Sequence, residues 1–202
     1  RATMLAGYLQ ADQAALDLAQ LWSSIEPENP EPIYIAGQYF LDSSSLQSAL
    51  QQSKRLLSLR ASSLFLAIAT NPLATDDKHL SQLTHEYGEL LEDHPENTDL
   101  LLGNAALLSA GTHYEESLSL IEKVLAADKN NLAARLLEVD VLYKNGRPDT
   151  AIKRMSDVVN DQPDNDKLRM EYARMLSEKD LKKAREQFDY LAQRNSLESS
   201  LL

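Results

Sequence analysis

Between Thr98 and Asn165 the chain writes one pattern twice, 34 residues apart. Ser117 is matched by Ala151, Ile121 by Met155, Val124 by Val158, Leu108 by Leu142 and Lys129 by Pro163. A fixed period of this length is the signature of stacked supersecondary units, and it outranks any local motif in deciding the fold. It predicts an all-α chain in which helical hairpins lean on one another.

The links inside the two blocks agree with this. Asn145-Gly146-Arg147-Pro148 joins the helices of the second block. Glycine accepts the backbone geometry that closes a helix, and proline suits the first turn of the next because it lacks an N–H. Gly111-Thr112 stands at the same place one repeat earlier, with Thr112 and Glu115 spaced as a capping box. Ala151 falls where two helices cross most closely, and the bulk of Ile121 or Met155 fills the remaining gap.

These residues resemble the tetratricopeptide repeat: small at the twentieth position, bulky at the twenty-fourth, apolar at the twenty-seventh, often proline at the thirty-second. Extending the register gives Ala15, Ala49, Leu83, Ser117, Ala151 and, one residue early, Ala184 at the small position. The twenty-seventh becomes Trp22, Leu56, Leu90, Val124, Val158 and Leu191. Six units, over residues 1–29, 30–63, 64–97, 98–131, 132–165 and 166–198, then account for the chain as one array. The resemblance implies an α-solenoid wound into a right-handed superhelix.

Composition narrows the partners. The formal net charge of −11 disfavours nucleic acid, because neutralising phosphates needs clustered Lys and Arg. It equally disfavours anionic membrane surfaces, and no apolar run is long enough to insert into a bilayer. Without cysteine there is neither a disulfide nor a thiolate metal site. Starting inside a helix and ending in Ser-Leu-Glu-Ser-Ser-Leu-Leu, as if another unit were opening, the chain reads as part of a longer protein.

Taken in order, residues 2–10 and 12–25 form the first pair, with Trp22 facing inward, and Pro27 to Pro32 make the boundary turn. The second pair spans about 31–41 and 45–58, and Gly37 inside it needs close helix approach to offset its cost of roughly 1 kcal/mol. Asn71-Pro72 breaks the third unit, so a shortened helix and a longer loop are expected before His79 to Glu92. The sixth unit runs over about 165–177 and 180–194 with one residue missing between its helices. Its cluster of Lys182, Lys183 and Arg185 reads as a solvated helix face.

Catalytic and cofactor patterns are missing. His85-Glu86 opens like a zinc-protease motif, but position 89, where the second histidine belongs, is Glu89. His79, His85, His94 and His113 lack ligand spacing on one helix face, and Asp161 to Asp166 lacks the glycine and distal glutamate of a calcium loop. Adjacent carboxylates such as Glu115-Glu116 diverge by about 100° around a helix. No cofactor is expected, and the chain reads as non-catalytic.

What remains is surface. In the tetratricopeptide family the first helix of each unit lines the concave side, which implies partner contacts at its second, fifth, ninth, twelfth and thirteenth positions. Those are Glu31, Tyr34, Gln38, Leu41 and Asp42, then Asp99, Leu102 and Ala106, then Leu136, Asp140, Tyr143 and Lys144, and finally Lys167, Met170 and Arg174. Leu102, Leu136 and Met170 stand where chaperone-binding relatives carry part of a carboxylate clamp, so such a clamp is not expected. An extended peptide or a partner's helix is the natural ligand.

Lys167-Leu-Arg-Met-Glu-Tyr-Ala-Arg-Met-Leu176, followed by Ala184-Arg-Glu-Gln-Phe188, is similar to Gram-negative tetratricopeptide lipoproteins. These include the outer-membrane adaptor of a periplasmic carboxyl-terminal processing protease. The resemblance implies an adaptor on the periplasmic side of the outer membrane, with a cytoplasmic location left open. Two other roles fit the same residues: the substrate-recruiting arm of an enzyme, or a structural part of an envelope assembly such as pilus or polysaccharide export machinery.

Overall fold

The computed structural model describes the backbone of residues 12–200 and the side chains of 13–194. The helix expected over residues 2–10 lies outside the described residues. Eleven α-helices and one 3-10 turn follow, with no strand among the described residues: α1 (Asp12–Ile25), α2 (Pro30–Asp42), α3 (Leu46–Ser58), α4 (Phe65–Ala69), the turn Pro72–Thr75, α5 (Asp77–Asp93), α6 (Thr98–Ala110), α7 (Tyr114–Ala127), α8 (Leu132–Lys144), α9 (Pro148–Asp161), α10 (Asp166–Ser177) and α11 (Leu181–Ser200). None of them is long and apolar enough to cross a membrane.

The 34-residue period is written into the backbone as well as the side chains. Ser44, Thr112 and Gly146 each adopt a left-handed conformation, with φ of 62°, 65° and 71°. Each sits just past the first helix of a pair, where Ser45, His113 and Arg147 donate back to the carbonyls of Phe40, Leu108 and Leu142 at 2.7, 2.8 and 2.9 Å. This is the Schellman closure, which satisfies carbonyls that the helix end leaves unpaired. Thr112 is thereby a turn residue and not the expected cap. Ser117 N–H bonds the His113 carbonyl at 3.0 Å, so the first hydrogen-bonded turn of α7 starts at His113.

The opposite ends are capped by asparagines in the same register. The side-chain oxygens of Asn29, Asn97, Asn131 and Asn165 accept from the N–H groups of Glu31, Leu100, Ala134 and Leu168 at 3.0, 2.9, 2.9 and 3.2 Å. An asparagine at this place satisfies one of the donors that a helix start leaves orphaned. In the third unit the position is Ser63, and the donors of α4 turn elsewhere.

Contacts divide the chain within α7, between Leu120 and Ile121, into two compact units. In the first, α2 and α3 form a tight hairpin in which a Cβ on Gly37 would lie 3.3 Å from Gln52 Cβ and collide with Leu64 Cδ1. Close helix approach is thus the reason for the glycine. The broken third unit has α4 cut to Phe65–Ala69, and its loop tightens into the Pro72–Thr75 turn. The short α4 crosses the backbone of α6 so closely that a Cβ on Gly103 would lie 2.9 Å from Phe65 carbonyl oxygen. Phe65 and Tyr87 meet edge to face at 5.2 Å, and Tyr87 Oη donates to the Phe65 carbonyl at 2.9 Å. Helix α6 is buried nearly all round, from Leu100 through Leu107.

In the second unit α8 packs on α9, α9 on α10 and α10 on α11. Its core holds Val139, Val141, Ala151, Met155, Val158, Ala173, Leu176, Ala184 and Leu191. The six small positions of the register are at most 2 % exposed, from Ala15 to Ala184. Two expectations change. Trp22 is half-buried, its Nε1–H bonding Glu26 at 3.0 Å, because an indole N–H needs a partner; Ala19 and Ser23 fill the inward face instead. And α11 runs on to Ser200 instead of ending near Arg194, since residues 195–200 contain neither glycine nor proline to stop it.

Candidate functional site

Helix α8 presents Leu136, Val139, Asp140 and Tyr143 along one stripe, at the three- and four-residue spacings that put side chains on a common face. Helix α10 answers with Leu168, Glu171 and Met175, Glu178 follows at its C-terminal end, and Met155 of α9 closes the floor. Between them lies a cavity of about 520 Å³. Its floor is aliphatic and thioether, its rim charged. That combination, apolar depth with a few polar groups at the edge, is what sites for side chains and small ligands share.

The rim is ordered by bonds across the groove and along each helix. Tyr143 Oη donates to the Glu178 carboxylate, which joins the C-terminal ends of α8 and α10. The bond to this carboxylate holds the Tyr143 phenol above its ordinary pKa, so it stays a donor. Asp140 is paired with Lys144 at 2.7 Å and Glu171 with Arg174 at 3.1 Å, each one turn along its own helix. Methionines at 155 and 175 give the floor unbranched, polarisable side chains that adapt to irregular shapes.

Of the residues expected on the concave face, Leu136, Asp140, Tyr143 and Arg174 line this groove. Lys144 stands behind it as the partner of Asp140. Lys167 is exposed and Met170 is 43 % exposed, both outside the groove lining. In the first unit Glu31, Gln38 and Asp42 are exposed, while Tyr34 and Leu41 are half-buried.

Three expected contacts are turned inward. Leu102 and Ala106 are 2 % and 8 % exposed, so neither side chain is offered to a partner. The Asp99 carboxylate is engaged within its own unit, accepting from Ser63 Oγ, Phe65 N–H and Leu66 N–H at 2.7, 2.8 and 3.4 Å. Burial pushes its pKa above the ordinary carboxylate range, with those three donors pulling the other way.

Ser177 and Glu178 line the groove without having been named from the sequence. They hold the twelfth and thirteenth positions of the sixth unit, as Tyr143 and Lys144 do in the fifth, so the same register carried one turn further along α10 finds them. The basic cluster on α11 makes local pairs, Lys183 with Asp180 at 3.3 Å and Arg185 with Asp189 at 3.8 Å. Among the described residues no three metal-ligating side chains gather at one point.

Residues 107–175 match the family model for the tetratricopeptide repeat. A TPR repeat-containing protein of Pseudomonas aeruginosa, PA4667, is 29 % identical over 86 % of this chain and 29 % of its own length. Tetratricopeptide repeat protein 8 of Caenorhabditis elegans is 31 % identical over 54 % of this chain and 20 % of its own. The chain therefore spans less than a third of either curated relative. Among solved structures, a thermophilic TPR protein of Thermus thermophilus superposes with a TM-score of 0.65 at 19 % identity, covering 87 % of this chain and 96 % of that one. A tetratricopeptide repeat protein of Parabacteroides merdae gives 0.63 at 16 % identity, over 95 % and 76 %. Residues 107–175 thus match the tetratricopeptide repeat, and the solved structures share the all-α fold of the chain.

Proposed function

We propose that the chain is a non-catalytic adaptor that holds a polypeptide partner in the groove between α8 and α10. The observation that carries this is the apolar cavity of about 520 Å³ opening between two first helices of consecutive units, with four of the register-derived contact residues on its walls. Tetratricopeptide proteins in general mediate protein–protein interaction. A groove of this size accepts a side chain or two of an extended or helical segment, and further weak contacts along the exposed face of α10, Met170 included, add to it.

The partner in this reading is a carboxyl-terminal processing protease, and the site of action the periplasmic side of the outer membrane. The support is the resemblance carried by Lys167 to Leu176 and Ala184 to Phe188. Immobilised chain should retain such a protease from a Gram-negative periplasmic extract, and Leu136→Asp should release it. Retention of other polypeptides that Leu136→Asp also releases keeps the adaptor reading and removes the protease. Binding indifferent to Leu136 removes the groove.

A further inference from the structure

We infer that the occupant of the α8–α10 groove is a polypeptide segment carrying an apolar side chain followed, two or three residues on, by lysine or arginine. The inference rests on the adaptor reading above and adds to it the chemistry and direction of the ligand.

The groove is not the same at its two ends. Leu136 and Leu168, early in α8 and α10, make one end apolar. The other end collects negative charge from several sources at once. Tyr143 is the penultimate residue of α8 and Glu178 follows the last residue of α10, so their bond sets two helix C-termini side by side. Each terminus is the negative end of its helix dipole. Asp140 and Glu178 add carboxylates at the same end.

The local cations do not cancel this. Lys144 is held by Asp140 and Arg174 by Glu171, which leaves Glu178 bonded to a neutral phenol. With Lys144 counted, three carboxylates at the groove stand against two cations, and Glu178 is the excess. The chain's net charge of −11 makes the long-range field attract the same sign of ligand.

Spacing follows from helix geometry. Leu136 and Asp140 are about 6 Å apart along α8 and Leu136 and Tyr143 about 10 Å, at 1.5 Å per residue. An extended peptide covers that in two to three residues at about 3.3 Å each. The apolar side chain thus enters between Leu136 and Leu168 while the cation reaches Glu178.

Panning a phage library of random dodecapeptides on the whole chain, with counter-selection on Leu136→Asp, tests this. Enrichment of an apolar residue followed at two or three positions by Lys or Arg is the expected result. Glu178→Gln, at an exposed position and with an amide oxygen that can still accept from Tyr143, should then weaken the enriched peptide about two- to fivefold, the worth of one exposed ion pair. Added salt should weaken it in the same sense. Enrichment of apolar residues with acidic neighbours, or affinity unchanged in Glu178→Gln, overturns the charge assignment and leaves the groove standing. Peptides that bind Leu136→Asp as well as the parent overturn both.

Discussion

Asp99, the second residue of α6, caps helix α4 from outside its own hairpin. Its Oδ2 accepts the Phe65 N–H at 2.8 Å and the Ser63 hydroxyl at 2.7 Å. Where other first helices begin with an asparagine, α4 has a serine, and a carboxylate 34 residues downstream supplies the acceptor. The broken third unit is thus held in place by the fourth. Its five-residue helix is too short to be stable by propensity, so docking and capping must supply what length does not.

Asp99→Ala should cost about 1–3 kcal/mol, because it leaves Ser63 Oγ and two backbone N–H groups without their acceptor in a largely buried place. Urea unfolding measures the loss, and hydrogen exchange should show the α4 amides losing protection beyond the average. A loss below about 0.5 kcal/mol would mean water replaces the carboxylate without strain.

The same residue makes stability depend on pH. Burial raises the folded pKa of Asp99 above its unfolded value, so between the two the folded state binds more protons. Its contribution therefore improves as pH falls through the raised folded value and levels off near the unfolded value of about 3.9. The difference in melting temperature between the parent and Asp99→Asn should move in favour of the parent from pH 7 down to about pH 4. Other carboxylates titrate alike in both proteins and cancel in that difference. A gap that moves the opposite way would show that the three donors outweigh burial.

The repeat was legible because each unit must bury the same face, and burial leaves a periodic mark: small residues at Ala49, Ser117 and Ala151 are all 0 % exposed. Loop chemistry was less legible. Ser44 and Thr112 take left-handed backbone that a reader assigns to glycine, because the Schellman bonds on either side hold them there. The groove was half legible: register named Leu136, Asp140, Tyr143 and Arg174, whereas the floor residues Val139, Met155 and Met175 look like any other core positions. Asp99 could not have been read correctly. Nothing local marks it as a cap for a segment 34 residues earlier, and the demand for one arises because Ser63 stands where the other first helices carry asparagine.

Two glycines should respond to alanine with opposite signs. A Cβ on Gly103 would sit 2.8 Å from Tyr87 Cε2 and 2.9 Å from Phe65 backbone, atoms that cannot step aside, so Gly103→Ala should cost about 1–3 kcal/mol. Gly88, inside α5, has nothing within 4 Å of its would-be Cβ. Gly88→Ala should therefore stabilise by about 0.5–1 kcal/mol through helix propensity. Paired melts of the two variants give the comparison, and equal signs would contradict the close crossing of α4 over α6.

The packing of the second unit can be probed from both directions of size. Ala151 is fully buried on α9, at the position the repeat keeps small, and its hairpin partner α8 presents Val139 and Leu142 to the same core. Ala151→Leu adds volume where the helices are already in contact, so strain should cost about 1–3 kcal/mol. Leu191, on α11, is 3 % exposed; Leu191→Ala removes volume and leaves a cavity that α10 cannot wholly close, for about 2–5 kcal/mol. The double variant is informative because the two sites lie on helices that do not pack together, so their costs should add to within about 0.5 kcal/mol. Chemical denaturation of the four proteins supplies the cycle. Costs that fall far short of additivity would mean that one substitution already loosens the whole unit, and Ala151 alone without effect would place the helix crossing elsewhere.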